Sequence, residues 1–220
     1  MWASCCRRGF TSEPPGKCLK PWIKMKKSER TRQRIIETAN RLFYQQGYAA
    51  TSFSDVVNAA NVPRGNIYYY FKTKDDILRA AINFRAERIS SMLQNWSEQY
   101  STPVERLNRF LEILPDSIES LAQYGCPMGS LNTELGKNNP ELQEQAKVLF
   151  NLFEDWLTDQ FSELGYAKRA REYARRILAR GQGISIMTHV YQDKKFLLQE
   201  TDRLARWVNR LAAGDAGNSG

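Results

Sequence analysis

Several features are scarce in this sequence. It has no run of about 18 uncharged apolar residues, the length that a membrane-spanning helix needs. It has one histidine, and only one of its four cysteines lies beyond residue 24, which leaves too few soft ligands for a metal site in the body of the chain. It also lacks a P-loop, a dinucleotide-binding glycine pattern, HExxH and GxSxG. We therefore expect a soluble protein that needs no metal or cofactor and is not an enzyme.

The cysteines also exclude a disulfide framework, because Cys5, Cys6 and Cys18 lie in the first 24 residues and only Cys126 lies in the body. This points to a reducing compartment, and we expect a cytoplasmic protein. Residues 1–24 lack helical periodicity and are predicted to be a disordered leader. Met25, followed by KKSERTRQ, is a possible natural start. The alternative is that the leader binds a metal or contacts DNA.

Positive charge is concentrated at the start of the chain. The formal net charge is +8 overall, with +4 in residues 1–24, +6 in residues 25–74 and −2 in the remainder. Clustered Lys and Arg side chains attract phosphates and anionic headgroups. The basic segment therefore indicates a polyanion as partner, unless it is merely a solvated surface.

From residue 28 onward the apolar pattern is helical, and we predict an all-α fold. The first helix is expected to end at Gly47, and Ser52 with Asp55 forms a capping box for a short second helix. Thr73 and Asp76 cap a long fourth helix in the same way. Pro115 is expected to kink the fifth helix, and Gly165 to end a long helix that starts after Asn139. Two further helices are predicted over residues 168–191 and 195–213.

Residues 51–78 have the layout of a helix-turn-helix, with a very short helix predicted over residues 65–71. On a helical wheel Ile67 and Phe71 point to the core, and the opposite face is formed by Gly65, Asn66, Tyr69 and Tyr70. Asn66 can pair bidentately with adenine, Tyr69 can reach base edges, and Gly65 lets the backbone approach the duplex. The alternative is a tyrosine-rich surface helix whose rings pack on neighbours.

A second group of side chains is expected to contact DNA phosphates, two of them near helix N-termini where free amides attract anions. This group consists of Thr51, Ser52, Arg64, Tyr70 and Lys74, and Tyr68 is also expected to contact DNA.

A known family pattern matches these features. The matching positions are Ala39, Leu42, Phe43, Gly47, Thr51, Val62, Gly65, Tyr68, Tyr69, Phe71, Lys72 and Lys74, together with the Arg-rich first helix. In these positions residues 28–78 resemble the DNA-binding domain of TetR-family bacterial transcriptional regulators. Position 70 is often histidine in that family, and Tyr70 keeps only the ability to hydrogen-bond a phosphate. Beyond about residue 80 the resemblance is one of layout.

The resemblance implies a helix-turn-helix DNA-binding domain over residues 25–73 and a larger regulatory and dimerisation domain over residues 74–213, with a loose tail at 214–220. It implies a homodimer that binds a palindromic operator as a repressor and leaves it when a small molecule binds the C-terminal domain. Activation, and nonspecific or architectural binding of nucleic acid, remain alternatives.

The last two predicted helices fit a dimer contact. The first carries small residues beside apolar ones, and the second carries an apolar stripe. The small and apolar residues are Ala179, Gly181, Gly183, Ser185, Ile177, Ile184 and Met187, and the stripe is Leu204, Trp207, Val208 and Leu211. The alternative is that both helices form intramolecular core.

Cys126 lies in a segment, YGCPMGSL, that interrupts two helices. This segment is similar to that of TetR-family members that respond to electrophiles, which implies a reactive thiol sensor. The alternative is an inert packed cysteine. An enzyme that pairs Cys126 with His189 is a remote further alternative.

An effector pocket is predicted among the central helices, as a mostly apolar cavity for a small hydrophobic or electrophilic molecule. The candidate residues are Cys126, Trp96, Phe110, Tyr124, Phe150, Phe153, Trp156 and His189. The aromatic residues among them fit plain core packing as well, and so does His189, the only histidine.

Overall fold

A computed structural model describes residues 26–214, apart from the side chain of Arg64. The predicted leader and Met25 lie outside the described residues, as does all of the predicted tail except Gly214. The described part is all α-helical, as predicted, and contains no strand. Its helices are α1 (Lys27–Gln46), α2 (Phe53–Ala60), α3 (Arg64–Tyr70), α4 (Lys74–Gln99), α5 (Pro103–Leu111), α6 (Ile113–Asp116), α7 (Ile118–Tyr124), α8 (Pro127–Asn138), α9 (Pro140–Ala146), α10 (Val148–Phe161), α11 (Ala170–Tyr191) and α12 (Lys194–Ala212).

The chain divides into two compact units, one ending at Phe84 and the other starting at Arg85. The division falls inside α4, so the first turns of that helix belong to the first unit. Within residues 26–214 none of the helices combines the length and the apolar character needed to cross a bilayer.

The first unit has a core formed by one face of each of its helices. Ile35 and Ala39 of α1, Val56 of α2, Ile67 of α3 and Ile77 of α4 are all fully buried. The i, i+4 spacing in α1 places its apolar residues on one stripe, which is why an otherwise charged helix packs stably. The predicted inward positions of Ile67 and Phe71 are confirmed.

Local signals set the ends of these helices as predicted. Gly47, with φ 86°, ends α1. The Ser52 amide donates to Asp55 Oδ2 at 2.7 Å, and the Asp55 amide donates to Ser52 Oγ at 3.1 Å. Thr73 and Asp76 repeat this exchange before α4, with distances of 2.9 and 3.1 Å. Each capping box satisfies amides that the first helical turn leaves free.

Helix α3 begins one residue earlier than predicted, at Arg64, and ends at Tyr70. Pro63, with φ −53° and ψ 135°, is the non-helical residue before the helix, and its carbonyl accepts the Asn66 amide at 2.8 Å. Phe71 is extended (φ −141°) and buried, so the chain leaves the helix at the point where its ring enters the core.

The second unit contains more breaks than the sequence indicated. The segment around Pro115 forms three short helices, α5, α6 and α7, which confirms an interruption there. The single long helix expected after Asn139 is wrong, because α9 and α10 are separate and meet at Lys147. Gly165 ends this region as expected, with φ 99°, inside a single π-helical turn over Ser162–Tyr166.

The two C-terminal helices pack differently from the prediction. Trp207 lies in the core of the second unit, with its ring 5.5 Å from that of Tyr173 and 6.0 Å from that of Phe161. The same core holds the rest of the α12 stripe, as well as two apolar residues of α11: Leu204, Val208, Leu211, Ile177 and Ile184. The prediction that these side chains form a dimer contact is therefore wrong, because they are used inside one chain. Ala179, Gly183 and Met187, from the same predicted set, are exposed.

Other side chains form the exposed apolar face of these helices. This face, called the α11 face below, consists of Ile186, Met187, Val190 and Tyr191 of α11 with Leu198 of α12. Their exposed fractions lie between 42% and 69%.

Candidate functional site

The outward surface of α3 carries four of the predicted DNA-contacting residues. Tyr69 is 78% exposed and Tyr68 47% exposed, and Gly65 and Asn66 are exposed as well. Ile67, between them, is fully buried and fixes the rotation of the helix. An amide, phenols and a bare backbone position therefore share one solvent-facing surface. Such groups can donate to and accept from base edges in a major groove.

Gly65 has no internal reason to be glycine. A Cβ built at this position would have no heavy atom within 4 Å, and its backbone does not have a positive φ. Glycine inside a helix costs about 1 kcal/mol relative to alanine. No contact within the first unit requires this loss of helix stability. Glycine at position 65 is therefore consistent with another molecule that approaches the backbone closely.

The tyrosines of α3 are positioned by ring contacts. Tyr68 stacks on Phe53 of α2, with ring centroids 5.1 Å apart and planes at 26°. Tyr69 and Tyr70 meet edge to face at 5.1 Å, and Tyr70 is half-buried. These contacts hold the phenol groups of the short helix in a defined arrangement.

Thr51 and Ser52 were both expected at phosphates, and the structure separates them. Thr51 is fully buried, and its hydroxyl donates to the Gly47 carbonyl at 2.7 Å. A phosphate contact by this side chain is therefore not supported; it fixes the connection between α1 and α2. Ser52 is exposed, and its Oγ accepts the Asp55 amide.

Lys74 is held beside Tyr48. Its ammonium donates to the Tyr48 carbonyl at 2.9 Å and lies 4.1 Å from the centroid of the Tyr48 ring. An ammonium has three N–H donors, so further donors remain for a phosphate. The Tyr48 hydroxyl in turn bonds the Asp75 carboxylate.

Two cations near α3 were not among the predicted contacts. Lys72 is exposed and donates to the Tyr68 carbonyl at 2.6 Å, at the end of α3. Arg32 of α1 lies over the Phe71 ring, 5.1 Å from its centroid. The sequence signals for them were the basic composition of the segment and the match of Lys72 and the Arg-rich first helix to the family pattern. Arg64, which was predicted, begins α3, but its side chain lies outside what the structure describes.

The capping carboxylates influence the electrostatics of this surface. Hydrogen bonds from the Ser52 backbone and side chain lower the pKa of Asp55. Those from the Thr73 side chain and backbone lower the pKa of Asp76. Both carboxylates thus keep their negative charge to lower pH than free aspartate, and both use it on helix amides.

In the second unit, four of the predicted pocket residues form a packed aromatic cluster. Trp96 and Trp156 lie 6.0 Å apart by ring centroid, and Phe110 lies 5.4 Å from Phe153. The Trp156 indole donates to Ser97 Oγ at 2.9 Å. These rings fill space among α4, α5 and α10. They therefore form packed core, which was the alternative that the sequence left open.

The second unit also contains a cleft of about 540 Å³ that is lined mostly by residues of α8 and by none of these four rings. Three predicted pocket residues line it: Cys126, Phe150 and His189. Tyr124 is half-buried and is not one of its lining residues. The rest of the lining was not predicted: Gly125, Gly129, Ser130, Asn132, Thr133, Glu134, Lys137, Asn138, Gln182 and Ile186.

Cys126 caps the N-terminus of α8. Its sulfur accepts the Gly129 amide at 3.4 Å and the Gln182 side-chain amide at 3.3 Å. A Cβ at position 129 would overlap Gln182 Oε1, so glycine makes room for that amide. Neighbouring glycines at 125 and 129 were the only sequence signal for this close approach.

The single histidine lines the cleft but does not bond the cysteine. His189 Nδ1 lies 2.8 Å from the Ala122 carbonyl, which accepts only, so Nδ1 carries the proton. Among the contacts of residues 26–214 none joins His189 to Cys126, and the nucleophile and base pair of an enzyme is not formed. The same range contains no cluster of His, Cys, Asp and Glu able to hold a metal ion.

Two family sequence models match separate parts of the chain. Residues 35–81 match the model for bacterial regulatory proteins of the tetR family. Residues 103–202 match the model described as the C-terminal domain of LmrA/YxaF-like transcriptional regulators.

Similar proteins cover most of the chain. It is 27% identical over 185 residues to the HTH-type transcriptional regulator YxaF of Bacillus subtilis (strain 168), covering 82% of this chain and 96% of the relative. It is 26% identical over 145 residues to the regulator LmrA of the same organism, covering 64% of this chain and 77% of the relative. The crystal structure of a TetR transcriptional regulator from Legionella pneumophila matches with a TM-score of 0.72 and 25% identity, over 85% of this chain and 98% of that one.

Proposed function

Because the chain belongs to the TetR family of helix-turn-helix transcriptional regulators, we propose that it is a repressor that binds a palindromic operator as a homodimer. In this proposal a small molecule that enters or modifies the cleft of the second unit releases the operator. The observation that carries the proposal is the exposed surface of α3, with Asn66 and Tyr69 directed to solvent on a helix too short to be stable alone.

Base reading is assigned to Gly65, Asn66 and Tyr69, because all three are exposed on that surface. Contacts to phosphates are assigned to side chains around it: Ser52, Arg64, Tyr68, Tyr70, Lys72 and Lys74. Phosphate contacts fix the register on the duplex, and the α3 side chains supply the sequence preference.

Dimerisation is assigned to the α11 face. The five side chains of this face form an exposed apolar patch on two adjacent helices. Large patches of this kind mark interaction surfaces in soluble proteins. A second copy placed against this face covers them, and two α3 helices related by a two-fold axis then require a palindromic site.

Two observations favour a small-molecule effector in the cleft. Its volume of about 540 Å³ falls in the range of small-ligand sites. Cys126 also lines it, beside polar side chains, so an electrophile that enters the cleft comes close to a free thiol. An effector that reacts with Cys126 and one that binds without reaction are separate forms of this proposal.

Selection of bound duplexes from a random DNA pool, followed by sequencing, tests the class of activity. We expect a palindromic consensus, and a preference for it over random competitor of about 10³-fold or more at physiological salt. Nonspecific binding, the alternative function, yields no consensus and equal loss of all duplexes with salt. A promoter carrying the consensus then tests repression, since added protein must lower transcription rather than raise it.

A further inference from the structure

The cleft and the α11 face share one side chain. Ile186 lines the cleft and is also 57% exposed among the apolar residues of α11. At 3.6 residues per turn, Gln182 and His189 lie on one flank of the helix, and Gly183 and Val190 lie on the next, with Ile186 between them. The mouth of the cleft therefore borders the apolar surface directly.

The residues along this border are open. Gly183 is exposed, and a Cβ placed on it would have no heavy atom within 4 Å. Val190, about two helical turns further along the same flank, is 63% exposed. A glycine and a valine on the same flank let the backbone of another helix come close to α11 beside the cleft.

We propose that the cleft is completed by a second copy of this chain: the partner seated on the α11 face covers the mouth at Ile186 and forms its missing wall. This rests on the dimer of the proposed function. The ligand class is a small apolar molecule that contacts Phe150 and Ile186, and it then binds the dimer rather than the monomer.

The consequence is a thermodynamic coupling. A ligand shifts the monomer–dimer equilibrium toward the state that it binds more tightly. A molecule that contacts the partner's wall therefore stabilises the dimer, and a molecule that projects through the mouth favours the monomer. Access to the cleft must therefore depend on the state of association even without a ligand.

Cys126 provides a direct probe of that access, since it is a lining residue of the cleft and its thiol is not in a disulfide. The full-length chain is treated with a bulky dye maleimide and, separately, with iodoacetamide, and the peptide that contains Cys126 is followed by mass spectrometry. The double variant Met187→Glu/Val190→Glu supplies the monomer, because both side chains are exposed and lie outside the cleft lining. Met187→Ala/Val190→Ala is its matched control, and sedimentation equilibrium gives the state of each protein.

We expect the bulky maleimide to modify Cys126 at least about tenfold more slowly in the wild-type dimer than in the monomeric variant, with a smaller change for iodoacetamide. Peptides that contain Cys5, Cys6 and Cys18 serve as internal controls and should react equally in both proteins. Circular dichroism of the double variant must match that of the wild type.

Three results overturn the inference, and they are distinguishable. If the dimer forms and Cys126 reacts at the monomer's rate with both reagents, the mouth is not covered, although the dimer stands. If the double variant still dimerises, the partner is seated elsewhere. If the wild-type chain is monomeric at every concentration, the dimer of the proposed function fails first.

Discussion

Gln182 and Cys126 are joined by a hydrogen bond in which the side-chain amide of Gln182 donates to the sulfur at 3.3 Å. Gln182 belongs to α11, the helix that carries the exposed apolar face, and Cys126 caps α8. A substituent on the sulfur therefore has to displace a side chain of α11. This contact links chemistry in the cleft to the helix on which the proposed dimer depends.

The first prediction concerns modification of that sulfur. Treatment with N-ethylmaleimide should weaken operator binding by about 5- to 150-fold, the range of ordinary allosteric coupling, because added bulk moves Gln182 and α11. Fluorescence anisotropy with labelled operator measures the change. Cys126→Ser should bind the operator normally and lose the response.

Gln182→Ala is the matched control for this experiment, since it removes the hydrogen bond without adding bulk. Unchanged operator affinity after complete modification of Cys126 would mean that the cysteine is inert packing, and the non-covalent form of the effector proposal would remain.

A second prediction separates folding from DNA binding at Gly65. Gly65→Ala should leave the stability of the first unit unchanged or raise it by up to about 1 kcal/mol, because alanine favours helix and nothing lies within 4 Å of the new Cβ. Operator affinity should fall if the duplex approaches the backbone there. Thermal unfolding and anisotropy on the same sample make the comparison. A variant that is more stable and binds equally well contradicts the assignment of Gly65.

The third prediction concerns base reading by Asn66. Asn66→Ala should relax sequence preference at one position of each half-site, at a cost of about 1–3 kcal/mol against the preferred base. Asn66 is exposed, so folding should not change. Asn95→Ala, another exposed asparagine on a helix, is the control. Repeating the selection from a random pool with both variants shows whether the consensus loses information only in the first.

The sequence predicted the DNA-binding unit more completely than the cleft. Its signals are local in the sequence: the capping boxes, Gly47, and the spacing of Ile67 and Phe71. In a small three-helix core, each of these signals is compatible with one packing of the helices. Even there, burial of Thr51 was missed, because a small polar residue gives no sign of which way the chain turns.

The second unit needed tertiary information. Leu204 and Ile186 are equally apolar in the sequence, yet the first is core and the second exposed, which depends on how α11 and α12 pack together. The cleft likewise brings Gln182 to Cys126 across 56 positions of the chain. A helical wheel identifies a stripe, but it does not say which of two stripes faces inward.

The fourth prediction concerns phosphate contacts by Lys74. Lys74→Met should weaken binding to all duplexes about equally and reduce the slope of log affinity against log salt by about 1, since one fewer counterion is released. Lys168→Met, an exposed lysine of the second unit, should leave the slope unchanged. Because the Lys74 ammonium also bonds the Tyr48 carbonyl, thermal unfolding must accompany the titration. An unchanged slope with an intact fold would remove Lys74 from the interface.

The fifth prediction follows from the capping carboxylates of the first unit. Hydrogen bonds from Ser52 and Thr73 hold the pKa values of Asp55 and Asp76 below the ordinary value of 3.8. A carboxylate with a lowered pKa in the folded state stabilises the fold at pH values above its unfolded pKa, and this stabilisation is lost as the pH falls through the folded pKa. The loss should therefore appear only in acid, below about pH 4.

Asp55→Asn/Asp76→Asn tests this assignment, because an amide still accepts from the helix amides but does not titrate in this range. The double variant should be less stable than the wild type at neutral pH, where it lacks charges at two helix N-termini, and the difference should shrink as the pH falls toward 3. Melting temperatures across the acid range measure it. Thr73→Ala is the control. Removing the first cause of the lowered pKa of Asp76 brings its folded pKa closer to the unfolded value, so the acid loss should become smaller and end at a higher pH. A constant gap between wild type and double variant at every pH would show that these carboxylates do not carry the acid sensitivity of the unit.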